Sequence, residues 1–202
     1  MRRLSWTSAL GGLDLAAPDG SVTLREADAR SLLRLDVPAS EAVAVGQAIG
    51  APLPEPGRAA YARAPRGPAR ETEVAILAED GGYLVMARFG LAAALAAEIS
   101  SVLAATPHHL VDRSGALSVL VLTGGVDHIL ARICGVDRSA LRPDDVVRTM
   151  VARTPATLWW RQERCEIIVG ASRAAFVASH LAQAGRALGL PAAALPAHRL
   201  VP

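Results

Sequence analysis

Lysine and asparagine are absent from these 202 residues, so arginine carries every positive side-chain charge other than histidine. An all-guanidinium cation set suits forked recognition of carboxylate or phosphate. A GC-rich coding sequence produces the same bias along with abundant Ala, Gly and Pro, and that reading is preferred. Aromatics are also few: Trp6, Tyr61, Tyr83, Phe89, Trp159, Trp160 and Phe176. The core is therefore expected to consist of Leu, Val, Ile and Ala. Only two cysteines occur, Cys134 and Cys165, and neither has metal-ligand spacing around it. They are expected to be buried and reduced.

Charge of one sign is not concentrated anywhere. The formal net charge is +2, its signs are interspersed, and the missing basic run argues against nucleic-acid binding. Long hydrophobic runs are missing too. The most apolar stretch, residues 89–105, contains Glu98, Ser100 and Ser101 and is too short for a membrane span. Met1-Arg2-Arg3 is followed by no apolar core of signal-peptide length and lacks the rest of a twin-arginine signal. A soluble, cytoplasmic chain is expected. With 51% of residues apolar, one domain or two small ones can bury a sizeable core.

What is present is a run of short elements. Residues 1–19 read as an extended arm, and 21–26 and 31–37 as strands, with Pro38 ending the second. Ser40 is placed to cap a short helix over 41–49, closed by Gly50. Residues 51–70 hold Pro52, Pro54, Pro56, Pro65 and Pro68 and read as an irregular strap. From residue 71 the pattern becomes regular. A hairpin is expected over 74–88 and a helix over 91–104. A second strand pair spans 109–113 and 116–122, with a helix over 126–134. Further strands are expected over 146–154, 157–161 and 165–170, Pro155 and Ala156 forming a turn. Ser172 is placed to cap a last helix over 173–188, and a Pro- and Ala-rich tail starts at Pro191. The expected fold class is α+β, with antiparallel sheets and helices packed on one face. The expected organisation is an arm and strap over 1–70, the α+β domain over 71–190 and a tail over 191–202.

No residue set announces chemistry. His108 and His109 are adjacent, so in a strand they face opposite ways and cannot easily share a metal. His128 stands at no ligand spacing from another His or Cys. No nucleophile-elbow pattern is present. Thr123-Gly124-Gly125, between an apolar run and a helix, could form an anion-binding turn, but it is far from a dinucleotide fingerprint or P-loop. A tight turn needing small residues is the preferred reading. Asp112, Asp137 and the Asp144-Asp145 pair read as turn or cap residues. Trp159-Trp160 stands out because aromatics are so rare here. Either one indole faces outward as an interface anchor, rimmed by Arg161 and Arg164, or both pack inside.

The order of several weak motifs carries a resemblance. They are Val22-Thr23-Leu24-Arg25-Glu26, Leu33-Arg34-Leu35, Ile49-Gly50 before Pro52-Leu53-Pro54, and Val111-Asp112-Arg113-Ser114. Then come Leu122-Thr123-Gly124-Gly125, Leu130, Cys134-Gly135-Val136-Asp137, Leu158-Trp159-Trp160-Arg161, Ile167-Ile168-Val169 and Ser172-Arg173. Across nearly its whole length the chain resembles the gamma subunit of heterotetrameric sarcosine oxidase and of related N-methyl amino acid oxidases and dehydrogenases. The resemblance implies a fold like the folate-binding aminomethyltransferase domain, without its folate site. It implies no catalytic, cofactor-binding or metal-binding residue in this chain. Partners would be alpha, beta and delta subunits, chiefly alpha, carrying FAD, FMN, NAD, tetrahydrofolate and zinc. The interface candidates are Trp6, Trp159, Trp160 and Arg161, together with the N-terminal arm and the strap. The rival reading is an autonomous folate-binding one-carbon transfer protein, for which Asp112 is the one residue to nominate against a pterin.

Overall fold

The computed structural model describes residues 8–63 and 72–193. Its strands are β1 (Asp14–Ala16), β2 (Thr23–Glu26), β3 (Arg30–Asp36), β4 (Ala59–Arg63), β5 (Glu73–Glu79), β6 (Gly82–Arg88), β7 (His109–Asp112), β8 (Leu117–Thr123), β9 (Val146–Val151), β10 (Thr154–Arg161) and β11 (Arg164–Gly170). Its helices are α1 (Ala42–Ile49), α2 (Ala92–Val102), α3 (Val126–Leu130) and α4 (Ala171–Ala184). They fall into two compact units. One comprises residues up to Ala27, Ser118–Leu141 and those from Thr149 onward; the other comprises Asp28–Leu117 and Arg142–Arg148.

The second unit is built on a five-stranded sheet in the order β4-β5-β6-β3-β7, antiparallel throughout. Alternate residues on one face, Leu33, Leu35, Val74, Ile76, Val85 and Ala87, pack against Val45 and Ile49 of α1 and Leu95 and Ile99 of α2. The other face, with Leu32, Ala75, Leu77, Leu84 and Met86, is buried as well. Burial on both faces is why β5 and β6 read as continuous apolar runs rather than clean alternation. The hydroxyl of buried Ser31 accepts the N–H groups of Leu91 and Ala92, at 2.9 and 3.0 Å. A strand residue 60 positions away thus caps the start of α2. Helix α1 ends at Gly50, whose φ of 84° is the left-handed conformation expected of a C-terminal glycine. Ser40 does not cap it; it lies in a 3-10 turn over Ala39–Glu41 with no side-chain cap bond.

Three expectations give way. Strand β4 lies inside the stretch read as an irregular strap. Its Ala59-Ala60-Tyr61-Ala62-Arg63 has no alternation of its own, and the strand is imposed by pairing with β5, Tyr61 opposite Ala75. Residues 109–113 and 116–122 do not form a hairpin. Strand β7 pairs with β3, Leu33 opposite Asp112, whereas β8 pairs with β2 in the other sheet, Leu24 opposite Leu122. The Ser114-Gly115 turn suits either course, so turn chemistry alone could not choose. Residues 1–19 are not wholly an arm, because β1 pairs with β2, Leu15 opposite Leu24.

The first unit carries most of a six-stranded sheet in the order β1-β2-β8-β11-β10-β9. Leu24, Leu120, Leu122, Leu158, Trp160, Ile167 and Val169 form one buried cluster with Ile129 of α3 and Val177 and Leu181 of α4. Chain from Ser8 is tied to this sheet by Glu26, whose carboxylate accepts from the Ser8 hydroxyl and from the Ala9 and Leu10 N–H groups. Strand β10 runs through Pro155, which is exposed near its start, where a missing donor is tolerated. The turn before it is made instead by Ala152 and Arg153, with φ of 47° and 61°. Helix α3 has five residues rather than the nine expected over 126–134; the stretch after it continues as turns, with Cys134 N–H donating to the Leu130 carbonyl at 2.7 Å. Gly170, not Ser172, is the N-cap of α4. Each sheet therefore carries helices on one face, and the α+β class expected from the sequence is the class observed. Among the described residues no helix is long and apolar enough to cross a membrane.

Candidate functional site

One functional candidate is an open cleft of about 620 Å3 in the first unit. Its walls are the Thr123-Gly124-Gly125 turn with the start of α3, and the β10–β11 hairpin around Gln162 and Glu163; Arg138, Trp160 and Arg164 complete it. Both glycines are left-handed, with φ of 68° and 55°. A Cβ on Gly124 would overlap the Ser21 carbonyl oxygen, and one on Gly125 would press on the Leu188 side chain. Small residues are thus required here by packing, which is the tight-turn reading of the sequence.

Both arginines of the cleft have acidic partners. The Arg138 guanidinium lies over the Trp160 ring, 4.5 Å from its centroid. Its Nε stands 3.0 Å from Asp127 Oδ1, and Nη1 donates to the Leu141 carbonyl at 2.8 Å. Arg164 Nη2 lies 3.3 Å from Glu166, a wholly buried carboxylate that also has Arg161 Nη1 at 3.7 Å. No nucleophile, base and orienting group converge there. A second concavity, an apolar groove of about 440 Å3 along α1, is lined by Val43, Gly46, Pro52 and Leu53 among others.

The interface candidates are placed as follows. Trp159 and Trp160 are 1% and 3% exposed. Alternation puts them on opposite faces of the sheet, and both faces are covered at this point, so neither indole is outward. Trp160 joins the core cluster. Trp159 carries the Arg161 guanidinium over its ring at 4.5 Å. The reading in which both indoles pack inside is the one observed, and Arg161 packs with them rather than forming an exposed rim. Trp6 lies outside the described residues.

The other residues singled out are local structural groups. Asp112 accepts from both the N–H and hydroxyl of Ser114, at 2.9 and 2.6 Å. Asp137 does the same for Ser139, whose hydroxyl and N–H hold its carboxyl below the usual carboxylate range. Asp145 pairs with Arg58 and accepts from Arg142 N–H at 2.7 Å. His109 Nδ1 faces Asp36 Oδ2 at 3.4 Å, and His108 Nδ1 lies 2.8 Å from the Thr106 carbonyl. Among the described residues no three His, Cys, Asp or Glu groups are placed to hold a metal. Cys165 is buried, as expected, but Cys134 is only half-buried, and both are free thiols. Sequence reasoning missed Ser31 and Glu166, whose roles depend on partners that only folding brings near.

No family model and no curated protein matches the sequence. Among solved structures the chain is similar to a chain of heterotetrameric sarcosine oxidase from Corynebacterium sp. U-96, solved in complex with pyrrole 2-carboxylate. The two share 25% identity and a TM-score of 0.72, over 87% of this chain and 89% of that one. The likeness to a sarcosine oxidase subunit read from the sequence is therefore present in the fold. The chain is also similar to aminomethyltransferase T of the glycine cleavage system from Bartonella henselae, at 16% identity and a TM-score of 0.60. That likeness concerns the fold alone, covering 77% of this chain and 44% of the enzyme, so the chain spans less than half of that enzyme.

Proposed function

We propose that this chain is a non-catalytic, gamma-type subunit of a heterotetrameric, flavin-dependent complex resembling sarcosine oxidase, which oxidatively demethylates an N-methyl amino acid. The observation that carries this reading is the two-way match in length to a chain of such an oxidase, 87% of one and 89% of the other. A shared domain inside an otherwise different protein would not match in both directions. The proposed partners are alpha, beta and delta chains, with FAD, FMN, NAD, tetrahydrofolate and zinc held on them. The substrate contacts then lie on another chain, and the role of this one is to stabilise the complex. Its cytoplasmic location belongs to the same proposal.

The test is to express the tagged full chain in its native host and record the visible spectrum and subunit pattern of what purifies. Larger chains with a flavin spectrum, in fixed ratio to this one, are expected. A colourless, well-folded monomer would overturn the proposal. The likeness to an aminomethyltransferase fold keeps one alternative, an autonomous folate-binding transfer protein. The carboxylate nominated for it, Asp112, is exposed and engaged in a local turn with Ser114. Saturable tetrahydrofolate binding by the isolated chain would favour that alternative.

A further inference from the structure

Arg30, Arg88 and Arg113 are far apart in the sequence and meet in the fold. They lie on or next to β3, β6 and β7, which are neighbours in the five-stranded sheet. Arg30 is the Cα partner of Arg88, so the two side chains leave the same face directly opposite each other. On the other side of β3, the Arg113 N–H donates to the Leu32 carbonyl at 2.7 Å, which carries the pairing one residue past Leu33 and Asp112. Arg113 is therefore level with Leu32, on the face that Leu32 shares with Arg30, and stands diagonally across from Arg30. This face is turned away from α1 and α2, since Leu33 and Leu35 pack toward those helices. Arg88 and Arg113 are exposed, and Arg30 is half-buried.

Like charges directly opposite in a sheet weaken it. The chain does not relieve this one: among the described residues neither Arg88 nor Arg113 has an ion pair. The nearby acidic groups are placed for other uses. Glu73 stands opposite a further arginine, Arg63. Asp112 leaves the helix-side face, level with Leu33, and accepts from Ser114. Asp28, two residues before Arg30, is exposed and has no ion pair among the described residues. Positive charge is thus in excess at this end of the sheet, and it complements negative charge on an occupant. The three arginines line neither concavity described above, so a small anion would not be enclosed by them. Asp28 and Glu73 beside them would repel the unbroken phosphate row of a nucleic acid. Separate carboxylates on a protein surface fit the arrangement, each taken by a guanidinium fork.

We infer that the Arg30–Arg88–Arg113 end of the five-stranded sheet docks against carboxylates of another subunit of the proposed complex. The inference rests on the subunit reading above. The free chain then carries a repulsion that docking removes, so stability and assembly place opposite demands on Arg88.

The experiment uses the tagged full chain in its native host, as wild type, Arg88→Glu, the double variant Arg88→Glu/Arg113→Glu, and Arg132→Glu as an exposed control in the other unit. The readouts are the ratio of flavin-bearing chains to tagged chain and the melting temperature of the chain freed from its partners. Wild type and control are expected to retain the flavin-bearing chains, and the double variant to lose them by about tenfold. Arg88→Glu sets a carboxylate opposite Arg30, so the free chain is expected to melt no lower than wild type while its assembly falls. Wild-type retention is expected to weaken as salt rises. A wild-type ratio in the folded double variant would overturn the docking face and leave the subunit reading intact. A lower melting temperature with an unchanged ratio would make these arginines structural and would overturn it as well. A wild-type chain without flavin-bearing partners would overturn both readings. A homodimer split by the charge reversal would assign the face to a second copy. Saturable binding of inorganic phosphate, lost in the double variant, would assign it to a small anion. Either of these last outcomes overturns the inference.

Discussion

Arg138 lies over Trp160, the guanidinium carbon 4.5 Å from the ring centroid, with its Nε 3.0 Å from Asp127 Oδ1. The arginine covers an indole whose remaining surface is in the core cluster, leaving the residue 3% exposed. The pair closes the floor of the cleft instead of offering a cation to a ligand.

Trp160→Ala is therefore expected to act on folding. Emptying this site should cost about 3–5 kcal/mol, read by denaturant unfolding. Arg138→Ala should cost about 1 kcal/mol, the scale of a partly exposed cation–ring contact. A Trp160→Ala chain that keeps wild-type stability would contradict this placement. Weakened assembly in that variant would follow from poorer folding and would not identify an interface.

Gly124→Ala should destabilise the chain by about 2 kcal/mol or more, because φ is 68° and the new methyl group overlaps the Ser21 carbonyl. Gly115→Ala is the matched control. Nothing lies within 4 Å of a Cβ there, and its change should stay within about 0.5 kcal/mol. Equal melting temperatures for the two variants would refute the packing argument.

Ser31→Ala removes the acceptor shared by the Leu91 and Ala92 N–H groups and leaves both facing a buried methyl group. The expected loss is about 1–2 kcal/mol. Hydrogen exchange should show faster opening at the first turn of α2 than at its end. Uniform exchange along α2 would show that the remote cap is dispensable.

Burial, with Glu166 and Cys134 nearby, pushes the Cys165 thiol well above its ordinary value of 9.0, and Arg138 opposes the shift weakly. The folded chain therefore prefers the protonated thiol. This preference leaves stability unchanged below pH 9.0 and lowers it as pH rises above that value, where the unfolded chain releases the proton first. Titration with a thiolate-specific reagent at pH 8 should label one thiol per native chain, Cys134, and two after denaturation. Rapid native labelling of both would contradict the burial of Cys165.

The elements legible in the sequence were those whose pattern is local. The β5–β6 hairpin announces itself by two apolar runs around Glu79-Asp80-Gly81-Gly82, and α2 by Leu95 and Ile99 at helical spacing. Gly50 marked the end of α1 because few other residues adopt its φ. The missed elements have no local signal. Strand β4 is mostly alanine and exists through β5; β7 and β8 separate because their partners are β3 and β2. At the candidate cleft, the glycine pair was readable as a packing demand. The neutralising partners of Arg138 and Arg164 were not, since a guanidinium in a sequence gives no sign of which carboxylate will reach it.

The unit that carries the six-stranded sheet is assembled from stretches on both sides of Asp28–Leu117. During synthesis, the chain leaves the ribosome with β1 and β2 long before β8, β10 and β11 exist. Residues 28–117, complete with five strands and two helices, emerge in between. The inserted unit can thus begin to fold while the first unit still waits for its central strands. Closing β2 onto β8 then brings residues 23 and 123 together only after that intervening length is made. A nascent chain stalled before β10 would expose the apolar edge of β8, which gives this fold a definite window of vulnerability to aggregation before release.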